Sequence, residues 1–129
     1  KKEAVMSSKK SVIIIGYDPS VVDYSKWPGL TPEKLVAGLE RDLSRMRELG
    51  YDAEVLYIDL GTTAESAITK KLTHTRYDCV LIGAGVRTSV EHFLNFEKVV
   101  NIVHKYAPSA RICFNTNPFD STAAFQRWV

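Results

Sequence analysis

Residues 78–93 read DCVLIGAGVRTSVEHF. A short β-branched and apolar run meets two glycines and then passes into polar residues with helical spacing. Two readings fit. Gly83 and Gly85 allow close backbone approach, Thr88 with Glu91 has capping-box spacing for a helix from about 89 to 106, and Arg87 can hold an anion with two parallel bonds. Alternatively, the stretch is an ordinary joint between a buried strand and its covering helix, with Arg87 in solvent. Either reading demands a strand whose two faces are both covered, and that fixes the class of fold.

The same grammar recurs on both sides. SVIIIG (11–16) is another β-branched run ending in glycine, AEVLYID (53–59) is a second strand, and ARICFNT (110–116) is a fourth. Between them lie amphipathic segments. Thr31 is placed to cap a helix, Pro32 suits its first position, Leu30 can staple onto Leu35, and Leu35, Leu39, Leu43, Met46 and Leu49 repeat at three and four residues before Gly50. Thr62 with Glu65 opens a helix bearing Ala64, Ile68 and Leu72, Pro108 ends the third helix, and Asp120 or Ser121 caps the last. Four strand–helix units imply right-handed parallel crossovers. The expected fold is a three-layer α/β sandwich with a four-stranded parallel sheet of order 2-1-3-4 and one helix pair on each face.

A length of 129 residues, 45% of them apolar, supports one core. Residues 11–129 are expected to form a single domain after a flexible tail, residues 1–10. Met6, followed by Ser-Ser-Lys-Lys, is a candidate native start. The formal net charge is +2, and Lys1, Lys2, Lys9 and Lys10 cluster at the start. The remainder is near neutral and offers no footprint for nucleic acid. No apolar run approaches the roughly 20 residues that span a bilayer, so the simplest expectation is a cytoplasmic protein without a membrane partner. Cys79 and Cys113 lie within strands, outside any metal or disulfide spacing, and are expected as buried thiols. No carboxylate cluster or histidine pair suggests a metal.

Ligands of such sheets bind beyond the carboxyl ends of the strands, where successive connections diverge to opposite faces, here between the first and third strands. The loops leaving that edge present Tyr17, Asp18, Asp59, Gly83, Gly85, Arg87, Thr88, Asn115, Asn117 and Asp120, with His92 one turn into its helix. Tyr17, Tyr24 and Trp27 of the long first connection can stack on a ring or serve as a subunit contact. Asp59 can hold a ribose hydroxyl or form a turn, and the polar rim residues can equally be caps and turns. His74 and His104 fall at the opposite edge, so an acid–base role would fall to His92 with Asp18. The leading expectation is a binding domain for a small phosphorylated or nucleotide-like anion, held by Arg87 and the helix end at Thr88, oriented by Asn115 and Asn117, and covered by Tyr17 or Trp27. The alternatives are a non-catalytic module that self-associates through the first loop or through Phe125 and Trp128, and a small hydrolase or lyase using His92 with Asp18. No particular cofactor is indicated.

The strand order and size resemble the flavodoxin-like and response-regulator-like group of small domains, and the overall pattern is similar to that of small uncharacterised bacterial α/β proteins of Rossmann-like type. Tyr17-Asp18 and Gly83 stand where a receiver domain would carry its acids. More locally, DCVLIGAGVRT followed by KYAPSARICFNTNPFD resembles the nucleotide-binding domain of lactate and malate dehydrogenases. In that family an asparagine before proline touches cofactor and substrate, and a loop arginine helps hold the substrate. The resemblance therefore implies such roles for Asn117 and Arg87. The first-strand glycines of that family are missing, since Tyr17 and Pro19 stand in the turn, so the likeness implies the sheet rather than dehydrogenase activity.

Overall fold

The computed structural model describes residues 9–61 and 63–129. The expected tail, apart from Lys9 and Lys10, and the expected capping residue Thr62 lie outside the described residues. Lys10 is already tied to the sheet, its carbonyl accepting from the Asp52 amide at 2.8 Å.

The four strands are β1 (Ser11–Tyr17), β2 (Asp52–Ile58), β3 (Cys79–Ile82) and β4 (Arg111–Phe114). They form one parallel sheet of order β2-β1-β3-β4, as the alternating pattern required. Five helices accompany them among the described residues: α1 (Pro32–Glu48), α2 (Thr63–His74), α3 (Ala84–Arg87), α4 (Phe93–Tyr106) and α5 (Ser121–Gln126). In β1, Val12, Ile13, Ile14 and Ile15 are all buried, because alternate residues face opposite helix layers. Ile13 and Ile15 pack with Ile68 and Leu72 of α2 and Val99 and Val103 of α4. Val12 and Ile14 pack with Leu39, Leu43 and Met46 of α1 and Phe125 of α5. Each face thus carries one helix pair.

Local chemistry sets the ends of α1. Thr31 Oγ1 accepts from the Lys34 amide at 3.1 Å, and Pro32 fills the first turn. Gly50, at φ +97°, turns the chain out in the left-handed region while the Tyr51 amide bonds back to Met46. Leu49, expected on the apolar face, lies past the helix end and is half exposed. On the same helix Gly38 has a packing role, since a Cβ there would run into the Phe119 ring.

Two expectations are corrected. The chain after β3 does not enter its helix at Ser89. It makes the single turn α3, then a 3-10 turn at Val90–His92, and α4 begins only at Phe93. Phe125, expected as an association surface, is fully buried against the sheet. Phe125→Ala is therefore expected to cost about 3–5 kcal/mol, measured by urea unfolding; a loss below about 0.5 kcal/mol, the ordinary range of a surface change, would contradict this packing.

Candidate functional site

The edge predicted to bind ligands contains a narrow cleft. Its floor is the backbone at the ends of β1 and β3, namely Gly16, Gly83, Ala84 and Gly85, and the Gly83 amide joins the two strands by bonding Ile15 O at 2.9 Å. One wall is Leu35 and Leu39 of α1, the other Asn115 and Pro118, and Val22, Trp27 and Leu30 of the first connection lie over it. The space is narrow and open at its mouth. The lining is mainly apolar.

The glycines of the floor differ in what they tolerate. At Gly83 a Cβ would stand 3.4 Å from the Ile15 carbonyl, so the crossing of strand and turn is close. At Gly16 and Gly85 a Cβ would meet no atom within 4 Å, and neither residue has positive φ. Within the protein itself, nothing in the backbone or packing calls for glycine at these two positions. What their missing side chains leave is room above the backbone, inside the cleft.

A second depression adjoins the first and shares Tyr17, Val22, Trp27 and Gly85 with it. It is more polar, lined further by Asp23, Lys26, Thr88, Ser89, Glu91 and His92. Lys26 Nζ and Glu91 Oε1 pair across it at 3.2 Å. Tyr17 is the partition: it is buried, its hydroxyl accepts from Asn95 Nδ2 at 2.8 Å, and its ring meets His92 edge-on with centroids 6.4 Å apart. Burial pushes the Tyr17 phenol above its ordinary pKa, with the Asn95 bond opposing in part.

The connection over the cleft, residues 18–30, is braced from within. Asp18 accepts from the amide and hydroxyl of Ser20, Asp23 does the same for Ser25, and Tyr24 Oη donates to Pro19 O. These bonds hold both aspartates below the ordinary carboxylate range, the Ser20 amide leading for Asp18 and the Ser25 hydroxyl for Asp23. The braced loop presents Trp27 inward, whereas Tyr24, expected beside it as a stacking ring, lines neither depression.

The remaining expected site residues divide. Tyr17, Gly83, Gly85 and Asn115 line the cleft, and Thr88 and His92 line the neighbouring depression. Arg87 lines neither. Its guanidinium lies over the Phe114 ring at 5.9 Å and donates to Asn115 O at 3.0 Å, because the turn of α3 carries it toward the end of β4 and away from the cleft. Thr88 does not cap a following helix; it closes α3, its hydroxyl donating to Ala84 O at 2.7 Å. Asn117 forms a local turn by accepting from the Phe119 amide at 2.7 Å. His92 and Asp18 are not joined by a hydrogen bond: Asp18 faces a separate depression with Ser20, Asp59 and Thr63. Asp59 forms a turn there, accepting from the Gly61 amide and the Thr63 hydroxyl. The pair expected for acid–base work is therefore not assembled.

Sequence reasoning missed Asp42, which stands on the buried face of α1 with 7% exposure and accepts from the Ser121 amide at 2.9 Å. Its signal was present, since position 42 falls between Leu39 and Leu43 on the face that points inward. Cys79 and Cys113 are free and buried as expected, with Sγ atoms 3.5 Å apart. Among the described residues no group of His, Cys, Asp and Glu is arranged to hold a metal, and no helix is long and apolar enough to cross a membrane.

The loop that carries Pro118 is closed by Asp120, whose carboxylate accepts from the amide and hydroxyl of Thr116 and the amide of Asn117. Partial burial raises its pKa, but these hydrogen bonds outweigh it and the net direction is downward. A carboxyl depressed in the folded state stabilises fully above the unfolded value of about 3.9, and that contribution is lost as pH falls through the folded value. Melting temperatures followed from pH 5 downward should therefore fall less steeply for Asp120→Asn than for the wild type; parallel curves would remove Asp120 from the closure of this loop.

No protein-family model matches the chain and no curated protein matches it.

Proposed function

We propose that the domain binds a small molecule at the carboxyl edge of β1 and β3, with a flat apolar part of the ligand lying over Gly16 and Gly85 beneath Trp27. The observation that carries this reading is the pair of glycines that the fold itself does not require, both opening into one apolar cleft at the switch point. A β-strand and a helical turn are each weakened by glycine by roughly 0.5–1 kcal/mol relative to alanine, and the space gained is the return on that loss.

The adjoining depression accepts the ligand's polar end. Thr88, Ser89 and His92 supply hydrogen-bonding groups, while the charge of Lys26 is matched by Asp23 and Glu91. A site so balanced favours hydroxyls and ring nitrogens over a cluster of phosphates. This narrows the expected phosphorylated or nucleotide-like class toward nucleoside-like molecules, and it transfers the polar contacts from Arg87 to the Thr88–His92 segment.

A second reading, self-association, draws on one specific feature. Val90, Phe93 and Leu94 are 84%, 54% and 72% exposed at adjacent positions around the start of α4. Such neighbouring apolar exposure marks interaction surfaces.

Thermal shift separates the two. Nucleosides, nucleotides, FMN and NAD are tested against the wild type, Gly16→Ala and Gly85→Ala. Both variants should melt at or above the wild-type temperature in buffer. A ligand at a hundred times its dissociation constant should add about 2.7 kcal/mol to the wild type, a rise of several degrees, and the variants should lose most of that rise. Equal responses in all three proteins would remove the glycine-floored cleft as the site and favour the assembly reading.

A further inference from the structure

We infer that Asp42 positions the floor of the cleft through a buried chain of hydrogen bonds ending at the Ala84 amide. The inference rests on the binding reading above and adds a residue to it that lines neither depression.

Asp42 occupies the middle of α1, buried with no basic side chain paired to it among the described residues. A carboxylate in that position needs donors. It finds them at the start of α5, accepting from the Ser121 amide at 2.9 Å and the Thr122 hydroxyl at 3.1 Å. Asp120, the residue at the cap position of α5 itself, makes no capping bond, so one helix caps another. Ser121, pinned in this way, has its Oγ accepting from Asn115 Nδ2 at 3.0 Å, and Asn115 Oδ1 accepts from the Ala84 amide at 2.8 Å.

The chain allows one direction only. The Ala84 amide can only donate, so the Asn115 oxygen must face it. That leaves the Asn115 nitrogen in need of an acceptor, and Ser121 Oγ is the acceptor present. Ser121 stands there because its own amide is held by Asp42. Asn115, Ser121 and Ala84 are each no more than 3% exposed, so water does not substitute for a lost partner. Ala84 lies between Gly83 and Gly85, and the height of the floor beneath Trp27 follows from where its amide is held.

The test uses the full chain labelled with 15N. Two quantities are read: the amide proton shift of Ala84 and the affinity for 2-aminopurine riboside, a fluorescent nucleoside with a flat base. Asp42→Leu keeps the space filled but removes the acceptors; Ser121→Ala cuts the chain at its middle and leaves the Asp42 bond to the backbone in place. Both should move the Ala84 amide proton upfield and weaken the probe about tenfold, because the floor no longer sits where the bound probe meets it. Asp42→Asn, which retains an acceptor for the Ser121 amide, should restore both readings toward wild type. Should Asp42→Leu fail to fold, Ser121→Ala and Asp42→Asn still decide. An unchanged Ala84 resonance in the cutting variants overturns the chain, and a moved resonance with unchanged affinity overturns its role in the site. A wild type that binds no probe overturns the binding reading, while the Ala84 resonance continues to decide the relay.

Discussion

The structure depends on β1 being hydrogen-bonded on both edges and covered on both faces. Val12 to Ile15 are buried because β2 and β3 flank the strand while α1 with α5 and α2 with α4 cover it. Such a strand has only its ends free. Its connection leads to α1 on one face, while the connection from β3 leads to α4 on the other, so the chain parts at the carboxyl end and leaves a gap. The cleft is the consequence of that divergence, and Gly16 and Gly85 keep it from being filled by the protein's own side chains.

What lies around the gap is held by short polar chemistry rather than by more core. Asp18, Asp23, Asp59, Asn117 and Asp120 each satisfy nearby amides or hydroxyls and so fix the loops in which they stand. Loops braced in this way keep their shape without burying much area, which leaves their inner faces free. Trp27, Leu30 and Pro118 occupy those inner faces. The polar rim serves mainly as framework, and the surface that faces the cleft is mainly the apolar and glycine lining within it.

The strand order and the pairing of helices with faces were legible in the sequence because they follow from apolar period and crossover handedness, which are properties of long segments. The cap at Thr31 and the exit at Gly50 were legible for the same reason that caps generally are, since their partners lie within four residues. The start of α4 was not. Thr88 and Glu91 have capping-box spacing, but Thr88 closes α3 with helical backbone angles, φ −94° and ψ −2°, where an N-cap residue would be extended, and that conformation is set by α3. Arg87 was misplaced by the same turn. Asn115 was correctly expected at the edge, yet its partners Ala84 and Ser121 are 31 and 6 residues away, and Asp42 lies 79 residues from Ser121. Local patterns carry no information about such pairings, and an apolar-face carboxylate is the one trace they leave.

The proposed ligand surface is the floor of the cleft. It is tested most directly by recording the amide and indole resonances of the labelled protein while titrating nucleosides and related flat heterocycles. Binding there gives shifts concentrated at Gly16, Tyr17, Gly83 and Gly85 and at the Trp27 indole N–H. Shifts confined to Val90, Phe93 and Leu94, or no shifts with any compound, would contradict it.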